Sequence, residues 1–388
     1  MTTWHIDTVQ TTEYLRAIVQ IDSVNPDLAP GGVGEGEMAR WLVGVCENLG
    51  LEVQTQQTAP GRPNVLARWR GSGNGKSLLL TGHTDVVSVE NMLGDPFDAR
   101  IEAGRLYGRG AIDMKGGLAA ILGAVATLRT GGFQPKGDLW LGFVTDEEYA
   151  SIGMDALVKV VHPDAAILTE PTDLRVTVAH KGFVWATITT RGEAAHGSLY
   201  NVGVDAVAHM GRVLRELERF DQEVFPQREH PLLGRPSVHA SLIHGGLGLS
   251  TYPDTCTLQL EHRLLPDETP QQMAALWDMA FARLRVDDAR FDASFKLDFS
   301  RPGYEIDQRA PIVTTLDSAF QQVIGQPPEY WGMSAWLDAA ILGQAGIPTV
   351  IFGPTGEGAH AAVEYVTLES VHQCAAVLAE AAALWCNN

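Results

Sequence analysis

The chain has 388 residues, 45% hydrophobic and 19% charged, which is ordinary for a soluble globular protein and long enough for two domains. A formal net charge of −19 repels phosphate backbones and argues against a nucleic-acid partner. Residues 1–10 carry no basic apolar leader, no apolar run nears the ~20 residues of a membrane span, and Cys46, Cys256, Cys374 and Cys386 form no CxxC pair, so the expectation is a cytoplasmic chain with free thiols and no membrane partner.

In chain order, helices are predicted over 12–22 and 37–49, a buried strand over 77–80, and a helix over 114–129. Buried strands follow over 139–144 and 165–168. Strand, helix, strand in alternation predicts an α/β layer with a mostly parallel sheet. The middle of the chain reads differently: a strand over 183–190, a helix over 204–220, strands over 237–243 and 255–262, a helix over 270–284 and a strand over 291–299. That βαββαβ order is the ferredoxin-like pattern. It predicts a small α+β domain over 181–295, inserted between two parts of the α/β domain, 1–180 and 296–388. The last part supplies a helix over 312–324, a strand over 347–352 and a closing helix over 368–384.

Two glycine-rich stretches are set aside. Residues 71–77, GSGNGKS, have Arg70 where a phosphate loop needs its first glycine, and they precede a strand instead of opening a helix. They read as a hairpin turn. Residues 31–36 read as a mobile loop.

The chemistry gathers after the strands. His83 and Asp85 follow the apolar run SLLL, Glu147 and Glu148 follow LWLGFV, Glu170 follows AAIL, and His360 lies in the loop after TVIF. Asp113 lies in a glycine-flanked turn before a helix. In open parallel sheets the ligand crevice lies beyond the carboxyl ends of the strands, so these residues are predicted to converge. Singly, each has a commoner structural reading: a core or capping histidine, an N-cap aspartate, a solvated acidic pair. Together they form a set of imidazoles and carboxylates without cysteine, which suits Zn²⁺, with Co²⁺ or Mn²⁺ as alternatives.

TGHTDVV, GRGAIDMKGG, TDEEYASIG, ILTEPT and GPTGEGAHAAVEYV resemble, in order and spacing, the motifs of the M20 metallopeptidases, the family of acetylornithine deacetylase, succinyl-diaminopimelate desuccinylase, aminoacylase and glutamate carboxypeptidase. The resemblance covers nearly the whole chain. It implies a di-metal hydrolase domain with an inserted lid that also dimerises. It implies His83 and Glu170 on one metal, Glu148 and His360 on the other, and Asp113 bridging both through a residue with a cis peptide to Met114. Asp85 would orient His83, and Glu147 would be the general base, taking a proton from water and returning one to the leaving amine. Arg263 in EHRLLPDE would bind a substrate carboxylate, an ion pair with Glu261 or Asp267 being the other reading. Ser250 stands where relatives commonly carry asparagine. His196 would reach the active site of a partner subunit.

The implied activity is removal of an N-acyl group from an N-acyl-L-amino acid, because Glu170 is the carboxylate found in the deacylases and carboxypeptidases. A carboxypeptidase or dipeptidase acting on a short peptide is the alternative on the same scaffold. A non-catalytic metal-binding descendant is the alternative of another class, and the presence of Glu147 beside all five ligands speaks against it.

Overall fold

Strands that are apolar on both faces must be covered on both, and such strands form the centre of this fold. The computed structural model describes residues 4–388, so the first residues of the stretch read for a leader lie outside it. The strands used below are β1 (Glu52–Ala59), β2 (Arg62–Trp69), β3 (Leu78–His83), β4 (Leu139–Val144), β5 (Ala165–Leu168), β6 (Val176–His180), β7 (Gly182–Arg191), β8 (Ser237–Gly245), β9 (Thr255–Leu264), β10 (Asp292–Arg301) and β11 (Thr349–Ile351).

The chain divides into two compact units. The first runs to Val178 and resumes with Ile306–Trp331 and Leu337–Asn388. Its sheet has the order β1-β2-β4-β3-β5-β11-β6. The four central strands β4, β3, β5 and β11 are parallel, and the flanks are antiparallel, so the sheet is mixed with a parallel heart. β3, β5 and β11 are buried along their whole length. Helix Gly116–Thr130 packs against helices Thr8–Val19 and Leu368–Cys386. The stretch Ala111–Thr130 has the length and composition of a membrane span, yet 94% of its apolar window is buried inside the protein. The expectation that no apolar run nears that length fails at this core helix.

Two features differ from the sequence expectation. The hairpin β1–β2 was not foreseen, because β1 reads EVQTQQTA and has no buried residue, with no alternation to reveal it. Residues 71–77 are not a hairpin turn. They join β2 to β3, and β4 lies between those strands. Gly71 and Gly73 are held by the Asp138 carboxylate and the Lys136 carbonyl, at 2.9 and 2.8 Å.

The second unit is Ala179–Glu305 with Gly332–Trp336. Its antiparallel sheet has the order β8-β9-β7-β10, and its connections are βαββαβ. Helices Ala206–Arg219 and Pro270–Asp287 share one apolar core with the sheet, centred on Trp277, Phe281, Phe220, Ile188 and Leu258. Both helices are capped at the start, the first by Asp205 and the second by a reciprocal Thr269–Gln272 box. The unit ends at Glu305, beyond the expected 295, because β10 runs on to Arg301 and Tyr304–Glu305 then pairs with Ala179–His180. β8 lies at the sheet edge, exposed from His239 onward.

Candidate metal centre

The four parallel strands of the first unit all end on one edge, and each delivers a candidate residue there. His83 is the last residue of β3; Glu147 and Glu148 follow β4, Glu170 follows β5, and His360 lies in the loop after β11. Asp113 enters from the turn Ala111–Lys115, and the Asp113–Met114 peptide is cis, as the resemblance implies. Met114 folds beneath β3, where its sulfur accepts the His83 backbone N–H at 3.2 Å. Only glycine permits this at position 82, since a Cβ there would lie 2.3 Å from Met114 Cε.

The five proposed ligands form two groups that share Asp113. His83 Nε2 is 3.1 Å from Asp113 Oδ1 and 3.8 Å from Glu170 Oε1. His360 Nε2 is 3.3 Å from Asp113 Oδ2 and 3.0 Å from Glu148 Oε2. Within each group the ligand atoms lie within 4.8 Å of one another. The two histidines differ in setting: the His83 ring is fully buried, and the His360 side chain is 53% exposed.

The His83 tautomer is fixed by its neighbours. Its Nδ1 donates to the Asp85 carbonyl at 3.0 Å, which turns Nε2 toward Asp113 and Glu170. The Asp85 carboxylate is further from the ring, at 3.5 Å. Its oxygens instead accept the backbone N–H groups of Glu147 and Glu148, at 3.1 and 3.2 Å, and the Asn25 amide at 2.8 Å. Asp85 therefore anchors the ring with its main chain and the Glu147–Glu148 turn with its side chain.

Behind it lies a buried network that the sequence reading did not single out. Asn25 also donates to Asp146 at 2.9 Å, and Arg62 joins Asp146 to Glu35 at 2.9 and 2.6 Å. Glu35 is fully buried, so the glycine-rich stretch 31–36 is tied down at its end where a mobile loop was expected.

Electrostatics mark the centre as a cation site. Burial, then the charge of Glu170, pushes the Glu147 carboxyl well above the usual carboxylate range. Burial, then the Asp113 charge, pushes Glu148 up to about 7. Hydrogen bonds to Asp113 and Glu148 push His360 up to about 10. Burial also raises Glu170, whose Oε1 is buried with no hydrogen-bond partner among the described residues. An orphaned carboxylate oxygen facing an imidazole nitrogen, among further carboxylates, is the donor set a divalent cation satisfies. The residues present fit two such ions.

The remaining predicted site residues belong to the second unit. His196 and Ser250 are exposed and lie on one short ladder: His196 bridges Thr251, and the Gly197 N–H donates to the Ser250 carbonyl at 2.7 Å. Arg263 Nε donates to Glu261 at 2.7 Å, the ion pair weighed as its other reading, and its guanidinium stands over the Phe183 ring at 5.6 Å.

The pattern of peptidase family M20/M25/M40 matches residues 79–384. Acetylornithine deacetylase of Myxococcus xanthus is 31% identical over 331 residues, spanning 84% of each chain. An N-formyl-4-amino-5-aminomethyl-2-methylpyrimidine deformylase of Bacillus subtilis (strain 168) is 28% identical over 379 residues, spanning 90% of this chain and 89% of its own. The crystal structure of a tripeptidase from Staphylococcus aureus superposes with a TM-score of 0.81 at 20% identity, covering 98% of this chain and 99% of that one, which shows a shared fold. The chain belongs to peptidase family M20/M25/M40 and is a metal-dependent amide hydrolase.

Proposed function

We propose that the protein is an N-acyl-L-amino-acid deacylase working with two divalent cations, Zn²⁺ foremost and Co²⁺ or Mn²⁺ as alternatives. The observation that carries this reading is the pair of ligand groups sharing Asp113, His83/Asp113/Glu170 and Asp113/Glu148/His360. When bound, such ions supply Lewis acidity toward the scissile carbonyl and lower the pKa of water.

The protein's own groups do the rest. Glu147 belongs to neither ligand group, and Asp85 fixes its backbone. Its carboxylate takes the proton of the attacking water and returns one to the departing amine, and its raised proton affinity suits that task. Glu261 holds Arg263 Nε, which leaves the Nη groups for a substrate carboxylate. His196 donates to the oxyanion in the active site of a second copy. The exposed edge strand β8, with Leu242 and Ile243 in the open, is the surface that pairs two such units into a homodimer. The four free cysteines agree with the cytosol as the compartment.

One observation favours a second reading. The Arg263–Glu261 pair partly neutralises the group meant for a carboxylate. A substrate without one, such as the N-formyl amine of the Bacillus subtilis relative's name, is then the alternative. A hydrolysis screen separates the readings. N-acetyl, N-succinyl and N-formyl amino acids, N-formyl amines and dipeptides are tested with Zn²⁺, Co²⁺ or Mn²⁺ and with chelator. Turnover of an acyl amino acid that chelator abolishes is the expected result. Turnover confined to formyl amines or to dipeptides would replace the proposal, and full turnover by metal-stripped protein would remove it.

A further inference from the structure

The loops that carry Asp113 and His360 are tied together behind the metal centre by a buried ion pair. Segments Arg105–Tyr107 and Tyr365–Thr367 pair antiparallel, so the turn toward Asp113 leaves one strand and the His360 loop arrives at the other. Glu364, at that arrival, is 1% exposed. Its Oε1 accepts the backbone N–H groups of Ile112 and Asp113 at 3.1 and 3.3 Å, and its Oε2 accepts Arg109 Nη1 at 2.7 Å. Arg109 Nη2 donates to the Asn91 side-chain oxygen at 3.0 Å and to the Ala361 carbonyl at 3.3 Å. Asn91 in turn donates to the His360 carbonyl at 3.0 Å. His360 has a φ of 61°, a left-handed conformation that a non-glycine residue keeps where its surroundings hold it.

A carboxylate behind a cluster of carboxylates is electrostatically costly. Burial and the Asp113 charge both raise the Glu364 proton affinity, and Arg109, with a hydrogen bond from the Gly110 backbone, offsets them in part. We infer that Glu364 and Arg109 are positioning residues for the second cation: they hold the bridging Asp113 and the His360 loop in one frame. His83 and Glu170 are seated directly at strand ends and need no such brace. The inference rests on the two-cation reading above.

The test is a titration of metal-stripped protein with Zn²⁺ against a chromophoric chelator, for wild type, Glu364→Gln and Asn91→Ala. The Glu148→Gln protein, which lacks a ligand of the His360 site, identifies that site's binding step. Two steps are expected in wild type, and their absence would overturn the two-cation reading itself. In Glu364→Gln the His360-site step should weaken by about 10–100-fold, the usual scale for an outer hydrogen-bond partner, and the other step, which shares Asp113 but keeps His83 and Glu170 at strand ends, should weaken by less. Asn91 is exposed, so Asn91→Ala leaves the core intact and should weaken the same step by less. Equal weakening of both steps in Glu364→Gln, or no change in either variant, overturns the inference while the two-cation reading stands.

Discussion

Adjacent residues Glu147 and Glu148 have been given different work, and exchanging each for glutamine separates the two roles. Glu148 Oε2 lies 3.0 Å from His360 Nε2 and completes the second ligand group. Glu147 is in neither group, yet its backbone is held by the same Asp85 carboxylate. Glu148→Gln removes one of three protein ligands from the exposed site and should leave one cation per chain. Glu147→Gln keeps shape and both cations but cannot accept a proton. Loss of a general base costs ~10²–10⁴-fold, which at ~1.36 kcal/mol per tenfold is about 3–5 kcal/mol of barrier. A base must be deprotonated to act, so the acid limb of the wild-type kcat profile should also vanish from the residual Glu147→Gln rate. The assay pairs kcat at saturating metal with elemental analysis after gel filtration. If Glu147→Gln loses a cation while Glu148→Gln keeps two, the roles are reversed. If Glu147→Gln keeps two cations and near wild-type kcat, the base lies elsewhere.

Other consequences are equally open to measurement. Metal binds deprotonated imidazole, and without metal the His360 ring is held protonated up to about pH 10, so Zn²⁺ affinity should fall as pH drops and binding near pH 7 should release protons; calorimetry in buffers of differing ionisation heat reads the count, and a pH-independent affinity would contradict it. Arg263→Ala should raise KM for free-carboxylate substrates and leave amidated ones unchanged, and equal wild-type turnover of acid and amide would exclude carboxylate recognition. Glu147→Gln and His196→Ala homodimers should each be nearly inactive, whereas a re-paired mixture should regain about half of wild-type activity per mixed dimer; no recovery would place His196 in its own subunit's site.

Much of the fold could be read from periodicity. The strands β3, β4 and β5 are short apolar runs, and β7, β9 and β10 belong to a run of elements in ferredoxin-like order, so both sheets announced themselves. What escaped was polar. β1 sits at an edge, and Gln54, Thr55 and Gln57 face water, so no burial pattern distinguishes it from a loop. Residues 71–77 looked like a hairpin turn because a short glycine-rich link usually joins neighbours. Sheet order is a long-range property, and the strand that intervenes, β4, lies some sixty residues further on.

The site divides along the same line. The five candidate ligands and Glu147 each stand beside a strand end or a helix start, so a local signal pointed to each. Their supports have no local signal. Arg62 reaches Glu35 and Asp146, Asn25 reaches Asp85, and Arg109 reaches Glu364. Each contact joins residues far apart in the chain, between side chains common on any surface. Asp85 shows the limit most sharply. Its place after His83 suggested a carboxylate turned on an imidazole, yet the nearer contact to the ring is the main-chain carbonyl, at 3.0 Å against 3.5 Å. The carboxylate is thereby free to hold two consecutive backbone N–H groups of the Glu147–Glu148 turn. One residue thus fixes the geometry of a first-site ligand, a second-site ligand and the base together. A residue type at a position identifies the chemistry on offer. Which atom delivers it is settled by the backbone path between β3 and β4, and that path depends on the packing of the whole sheet.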